Sequence, residues 1–389
     1  METRRYPVDT QTFSKVIEGN YVYVDKTALV YKMVKSFNYV FLSRPRRFGK
    51  SLLCSTLKEY FEGNKEMFAG LQMAELEKDW VKYPVIHLDF SDFKSDNIDD
   101  LKDVVNNSLR IIEEKYSVEQ KASSFSARLQ NIVFKANESY GQKAVIIIDE
   151  YDAPMLNTID NDKLYNQICA TIASLLAPLK QLDPYLRFVF ITGTTTFPQM
   201  LFSLVLNNIC NISLKPEYET ICGISENELY TQLKDGIQDF ADKNNLTFEQ
   251  TLQMFKDKYG SYHFTRQMQD VFNPFSVISA LSSKILNDYW LNSETPSLLP
   301  NLMNKFDFEM EDFENIECSE SCFNQPVEQV ADLVPFLFQI GYLTIKDYNK
   351  DYNTYILGYP NEEVRTAINF SSKDRNIESY EAEEERLNK

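Results

Sequence analysis

The chain has 389 residues, 43% of them hydrophobic, with 40 Lys+Arg against 57 Asp+Glu and a formal net charge of −17. That length holds one large domain or two around ample core, and the charge argues against broad binding of nucleic acid or an anionic membrane by this chain alone. No apolar run approaches the roughly 20 residues of a spanning helix, no signal-peptide core opens the chain, and six scattered cysteines with two histidines suit a reducing cytoplasm rather than a zinc site.

Charge is unevenly spread. Residues 1–60 hold 11 Lys+Arg against 5 Asp+Glu, whereas residues 301–389 hold 8 against 19. A positive island in an acidic chain favours capture of a polyanion such as a nucleoside triphosphate. Within that island the apolar run 39–42 predicts a strand. It leads into Ser43-Arg44-Pro45-Arg46-Arg47-Phe48-Gly49-Lys50-Ser51, and 52–62 then has helical spacing. A phosphate-binding (Walker A) loop, G-x-x-x-x-G-K-[ST], sits where a strand turns into a helix. Its backbone N–H groups, Lys ammonium and hydroxyl surround the phosphates and Mg²⁺. Lys50 is therefore expected on the outer phosphates of ATP and Ser51 on Mg²⁺. Arg46, Arg47, Phe48, Gly49 and Leu52 are the other expected nucleotide contacts.

The general pattern has its first glycine where this chain has Arg44. Arg44, Arg46 and Arg47 admit three readings: contact with phosphate, completion of a neighbouring subunit's site, or pairing with local carboxylates. Pro45 fixes φ and stiffens the loop.

Strands are next expected over 85–90, 144–148 and 188–191, with helices over 98–116, 125–139 and 164–180. Strand and helix alternating in this way imply a parallel sheet with right-handed crossovers, whose ligands bind beyond the carboxyl ends of the strands. The run Ala144 to Ile148 ends in Asp149-Glu150. Asp149 can hold Mg²⁺ through its water shell and Glu150 can orient and deprotonate the attacking water, as a Walker B pair does. The bland reading is a buried strand followed by an acidic turn. Thr192 at the end of the last strand suits a sensor of the γ-phosphate, with Gly193 at the turn, or else a strand-terminal Thr that caps the next element. Asp89 with Asp92 and Lys94 superficially suits a metal-dependent nuclease, but its two acids are too close together. Glu113-Glu114-Lys115 lies in a helical stretch. Neither is taken as a site.

After about residue 215 the pattern is mostly helical. Ser225 with Glu228, and Thr247 with Gln250, are capping boxes, and Asn273-Pro274-Phe275-Ser276 reads as another helix start. A helix over 327–338, alternating runs over 341–346 and 354–357, and a polar loop over 346–353 between them give a winged-helix-like end. Its acidic surroundings favour packing or a lid over groove binding. From Ser371 the chain is a polar tail with Glu381, Glu383, Glu384 and Glu385 close together. The expected organisation is an ATPase domain over 1–215, a helical, winged-helix-like domain over 216–370 and an acidic tail over 371–389.

Several of these stretches in order resemble one family. They are Tyr21 to Thr27, Leu42 to Ser51, Ile148 to Pro154, Thr192-Gly193, Leu206-Asn207-Asn208, Tyr259-Gly260, Asn273 to Ser276, Tyr289-Trp290, Phe338 to Ile345 and Tyr359 to Val364. Together they are similar to the bacterial AAA-ATPase-like family over about residues 6–366. The family's usual loop is itself Arg-Pro-Arg-Arg-Phe-Gly-Lys-Ser, so the resemblance makes Arg44 a variant and not a defect. It implies ATP at Lys50 and Ser51, with Asp149 and Glu150 as the second motif. Two departures stand out. Many relatives continue into a PD-(D/E)xK nuclease, for which the residues after Val364 are too few. The usual Asp-Gly-Tyr-x-Phe segment is Gly260-Ser261-Tyr262-His263-Phe264 here, with His263 expected as a packed surface residue.

The fold class expected is an α/β P-loop NTPase with a parallel sheet and flanking helices, then a mostly helical domain ending in a β-hairpin. The function expected is an Mg²⁺-dependent ATPase that uses hydrolysis as a conformational switch. The alternative is a nucleotide-dependent scaffold with little turnover, the regulatory half of a nuclease-linked system. Partners left open are a second copy of the chain, a nuclease, and nucleic acid held through another subunit. A small-molecule kinase shares the loop, but no acceptor-binding motif accompanies it.

Overall fold

The computed structural model describes residues 4–91, 93, 97–196, 209–290, 313–324 and 333–368. The chain forms two compact units. The first draws on Met1–Arg44 and Gly49–Cys222; the second takes Pro45–Phe48 and Gly223–Gln325 with the described residues that follow.

In the first unit α1 (Phe13–Glu18) and α2 (Thr27–Ser36) precede β1 (Tyr39–Ser43), and α3 (Lys50–Phe61) and α4 (Gln72–Leu76) lead to β2 (Val85–Asp89). Then come α5 (Ile98–Lys115), α6 (Phe125–Tyr140) and β3 (Ala144–Asp149). They are followed by α7 (Ala153–Leu156), α8 (Asp162–Leu176), β4 (Leu186–Gly193) and β5 (Cys210–Asn211). The strands form one sheet in the order β2-β3-β4-β1-β5, and every pair is parallel. The P-loop NTPase type of parallel sheet is therefore present, with the extra strand β4 between β1 and β3. Parallel pairing puts all carboxyl ends at one edge. Ser43 lies beside Gly193, Leu42 beside Thr192 and Asp89 beside Asp149.

Physical causes are visible locally. No residue of β3 is exposed, as a strand covered on both faces requires, and its β-branched Val145 to Ile148 suit the pleat. Helix α5 buries Leu101, Val105, Leu109 and Ile112 at three- and four-residue intervals, and these pack into one core with Ile146, Ile148, Ile132 and Ile168. Asn97, Ser124 and Asn161 cap α5, α6 and α8 by accepting from the backbone N–H groups of Asp99, Ala127 and Leu164. Helix α3 begins at Lys50, two residues before the expected start, because Gly49 itself is the cap. Helix α8 stops at Leu176, and a 3₁₀ turn, Ala177–Lys180, follows with Pro178 in its first turn, where its missing N–H is harmless.

In the second unit β6 (Ile224–Ser225) pairs antiparallel with β7 (Val271–Phe272). Helices α9 (Glu226–Thr231), α10 (Lys234–Asn244), α11 (Phe248–Tyr259) and α12 (Pro274–Ser283) surround them in sequence. Both capping boxes form, and Asn273 caps α12 by accepting from Phe275 and Ser276 N–H. After β8 (Ile316–Ser319) and α13 (Val334–Ile340), β9 (Thr344–Asn349) and β10 (Thr354–Gly358) make the terminal hairpin, with β8 on the far side of β10. The expected strand at 341–346 starts late because Gly341, at φ +90°, closes α13. The turn is shorter than expected because β9 runs on to Asn349. The first part of the helix expected over 327–338, the 206–208 motif and the tail lie outside the described residues.

A buried carboxylate links several of the second unit's signature stretches. Glu363, 0% exposed, accepts from Trp290 N–H at 2.7 Å and from Ser276 Oγ at 2.8 Å. Asn361 beside it donates to Gly260 O and accepts from Val364 N–H.

Candidate functional site

The carboxyl edge of the sheet gathers the chemistry of the first unit. Gly49 adopts φ +93° and opens α3, whose first-turn N–H groups have no partner within the helix. No acidic side chain lies in that turn, so an anion is free to serve it. The Lys50 side chain is buried, and its Nζ donates to Arg44 O at 3.0 Å and pairs with Glu150 Oε1 at 3.1 Å. Ser51, next along, hydrogen-bonds the Asp149 carboxylate.

Asp149 is 1% exposed. Burial, then the neighbouring Glu150, raises its pKa to about 7, against the Ser51 hydrogen bond and the Lys50 charge. Among the described residues its Oδ1 has no hydrogen-bond partner, although it is buried. A hydroxyl beside a carboxylate with an unsatisfied oxygen is a donor set that fits Mg²⁺, which takes few protein ligands and completes its shell with water and phosphate. Among the described residues no cluster of three or more His, Cys, Asp or Glu side chains that could hold a metal ion is present.

Glu150 holds φ +48°, a left-handed conformation costly for a residue with a side chain. The following turn is pinned by Tyr151 N–H on Thr192 O at 3.1 Å and Ala153 N–H on Glu150 O at 3.0 Å. Asp152 contributes more than its sequence position suggests. It is buried and accepts from Thr194 N–H, Thr195 N–H at 2.6 Å and Thr195 Oγ1 at 2.6 Å, so it ties the turn after β3 to the turn after β4. Gly193 sits under this tie, since a Cβ there would lie 2.4 Å from Asp152 Oδ1. Thr192 is 0% exposed and its hydroxyl donates to Leu42 O at 2.8 Å, which bridges β4 to β1.

The loop arginines separate. Arg44 is buried and its guanidinium meets backbone carbonyls, an arrangement outside the three sequence readings. Arg46 is half-buried and Arg47 exposed. Both belong with Pro45 and Phe48 to the second unit, where Arg47 lies over the Phe275 ring at 4.7 Å. Phe48 packs edge-on against Tyr262 and Phe264 with ring centroids at 4.9 and 5.6 Å. Leu52 follows Ser51 in the first turn of α3 and is half-buried.

The stretches set aside as nuclease-like have other occupations. Glu113 forms a buried pair with Arg128 at 2.7 Å, and Lys115 pairs with Glu62. Asp89 ends β2; Asp92 and Lys94 are outside the described residues. His263 is partly buried. It bonds Ile345 O at 2.7 Å and Asp270 at 2.9 Å, so it packs as a structural link.

A family model described as "Predicted AAA-ATPase" matches residues 7–202. An uncharacterized protein in the vnfD 5′ region of Azotobacter chroococcum mcd 1 is 28% identical over 375 residues, which is 95% of this chain and 70% of that protein. Among solved structures, the Aeropyrum pernix ORC1 protein in complex with DNA aligns with 94% of this chain and 98% of its own, at 10% identity and a TM-score of 0.33. No helix among the described residues is long and apolar enough to cross a membrane.

Proposed function

Because the chain belongs to the predicted AAA-ATPase family, we propose that it binds Mg²⁺-ATP where β1 turns into α3 and hydrolyses it as a conformational switch. One observation supports this most. Lys50 and Ser51 open α3 after β1, Asp149 ends β3 and Glu150 follows it, and β4 separates the two strands, yet Lys50 meets Glu150 at 3.1 Å and Ser51 meets Asp149.

In this reading the α3 N-terminus and the Lys50 ammonium bind the phosphates. Lys50 leaves Glu150 when a triphosphate offers it a stronger anionic partner, and Glu150 is then released to orient a water and accept its proton. Ser51 and Asp149 would hold Mg²⁺, which supplies charge neutralisation at the phosphoryl oxygens. Arg46, Arg47, Phe48, Gly49 and Leu52 complete the nucleotide contacts, and Thr192 senses the γ-phosphate. The protein would act in the cytoplasm, with a second copy, a nuclease or nucleic acid held by another subunit as partners that native mass with and without ATP would separate.

A scaffold with slow turnover is the second reading. It is favoured by the Thr192 hydroxyl being committed to Leu42 O. Phosphate release decides between the two. Wild type should release phosphate from ATP, and Glu150→Gln should lower release by at least about 100-fold while ATP still binds. Wild type that binds ATP and releases none would favour the scaffold.

A further inference from the structure

Arg44 stands where the general phosphate loop has glycine, and its side chain is only 2% exposed. One terminal nitrogen, Nη1, donates to Ser43 O at 2.9 Å and Ser213 O at 2.8 Å. The other, Nη2, reaches Tyr218 O and Glu219 O, each at 3.3 Å. The same residue's carbonyl accepts from Lys50 Nζ at 3.0 Å, and its N–H donates to Gly193 O at 3.2 Å. Arg44 thus joins the ends of β1 and β4, the segment after β5 and the lysine of the loop. Burial pushes the guanidinium pKa down to about 10, with Glu219 opposing, so the fork stays charged at neutral pH.

We propose that Arg44 is a positioning residue: its guanidinium clamps the 213–219 segment behind the loop, and so fixes the carbonyl that holds Lys50. The inference rests on the reading of Lys50 as the phosphate-binding lysine. Lysine cannot take over the clamp, because a single ammonium lacks the planar, multi-donor fork that reaches carbonyls on separate segments. Glycine would bring the chain closer to the general loop pattern yet leave those carbonyls without their charged donor. The closer match should therefore bind nucleotide less well.

The test measures binding of a fluorescent ATP analogue with Mg²⁺ to the full chain, with circular dichroism as the check on fold. Arg44→Gly and Arg44→Lys should each bind at least about tenfold more weakly than wild type, the scale of a lost charged hydrogen bond. Millimolar guanidinium ion should restore part of the affinity in Arg44→Gly and none in Lys50→Ala, a rescue that general loss of stability would not give. A folded Arg44→Gly or Arg44→Lys with affinity within about twofold of wild type would overturn the proposal. If Arg44→Gly does not fold, Arg44→Lys decides; loss of fold in both assigns Arg44 to stability alone and also overturns it. Absence of ATP binding by the wild type would instead overturn the reading on which the inference rests.

Discussion

Gly49 and Glu150 both occupy left-handed backbone, at φ +93° and +48°, but only one of them is a glycine. At Gly49 an added Cβ would meet nothing within 4 Å, so the position demands glycine for its dihedral alone. Gly49→Ala should therefore cost about 1–2 kcal/mol of backbone strain without a steric clash. If ATP binds as proposed, relief of that strain would tilt the first N–H groups of α3 off its phosphates, and about tenfold weaker ATP binding is expected. Titration with the nucleotide alongside a melting curve checks this, and unchanged affinity would mean that the loop does not depend on the left-handed turn. At Glu150 the strain is held by the Lys50 ion pair at 3.1 Å and by the turn hydrogen bonds on either side. On the proposed reading, Glu150→Gly should relieve this strain and still lose phosphate release, which a malachite-green assay beside a melting curve would show.

β3 carries the most weight among the elements, because its last residue is Asp149 and all six of its residues are buried. Ile146 is 0% exposed and in the core with Leu109 and Ile132, and close-packed neighbours relax only partially around a deleted side chain. Ile146→Ala should destabilise the protein by about 2–5 kcal/mol, read as a lower denaturation midpoint. A loss under about 1 kcal/mol would mean that the sheet centre is looser than its burial indicates. This strand was also the easiest to read from sequence, since five consecutive apolar residues ending in Asp-Glu have few other uses. The placement of Lys50, Ser51 and Glu150 beside one another is legible for the same reason, since they lie in local motifs. β5, with two residues, and β8, a short edge strand whose partner β10 lies far along the chain, give no periodic signal. Arg44, Asp152 and Thr192 take their meaning from distant partners. Arg44 reaches a carbonyl 169 residues away and the Thr192 hydroxyl one 150 residues away. Such pairings exist only once the sheet order is set, and one chain's spacing does not encode them.

For the molecule as a whole, acidity and burial act on stability in the same direction. The formal net charge is −17, and residues 301–389 alone hold 19 acidic against 8 basic side chains, so self-repulsion grows as carboxyls ionise. Glu363 adds a specific term. Burial is the main cause that lifts its carboxyl from 4.5 to about 7, against hydrogen bonds from Trp290 and Ser276 and the Lys258 charge. Between those two values the folded state binds more protons than the unfolded one, so stability falls as pH rises. Below about 4.5 both states are protonated and the full advantage is present; above about 7 both are ionised and it is gone. The whole change is on the order of 3 kcal/mol for a shift of this size. Urea midpoints followed by tryptophan fluorescence should therefore fall between pH 5 and pH 8. Trp290 lies at the group being titrated, since its backbone N–H donates to Glu363. Glu363→Gln keeps an acceptor for that N–H, and its NH2 donates to Ser276 Oγ in place of the bond Oε2 accepts, but it cannot ionise, so its midpoint should vary much less over the same range. Equal slopes in the two proteins would remove Glu363 from the account and leave the decline to the distributed negative charge.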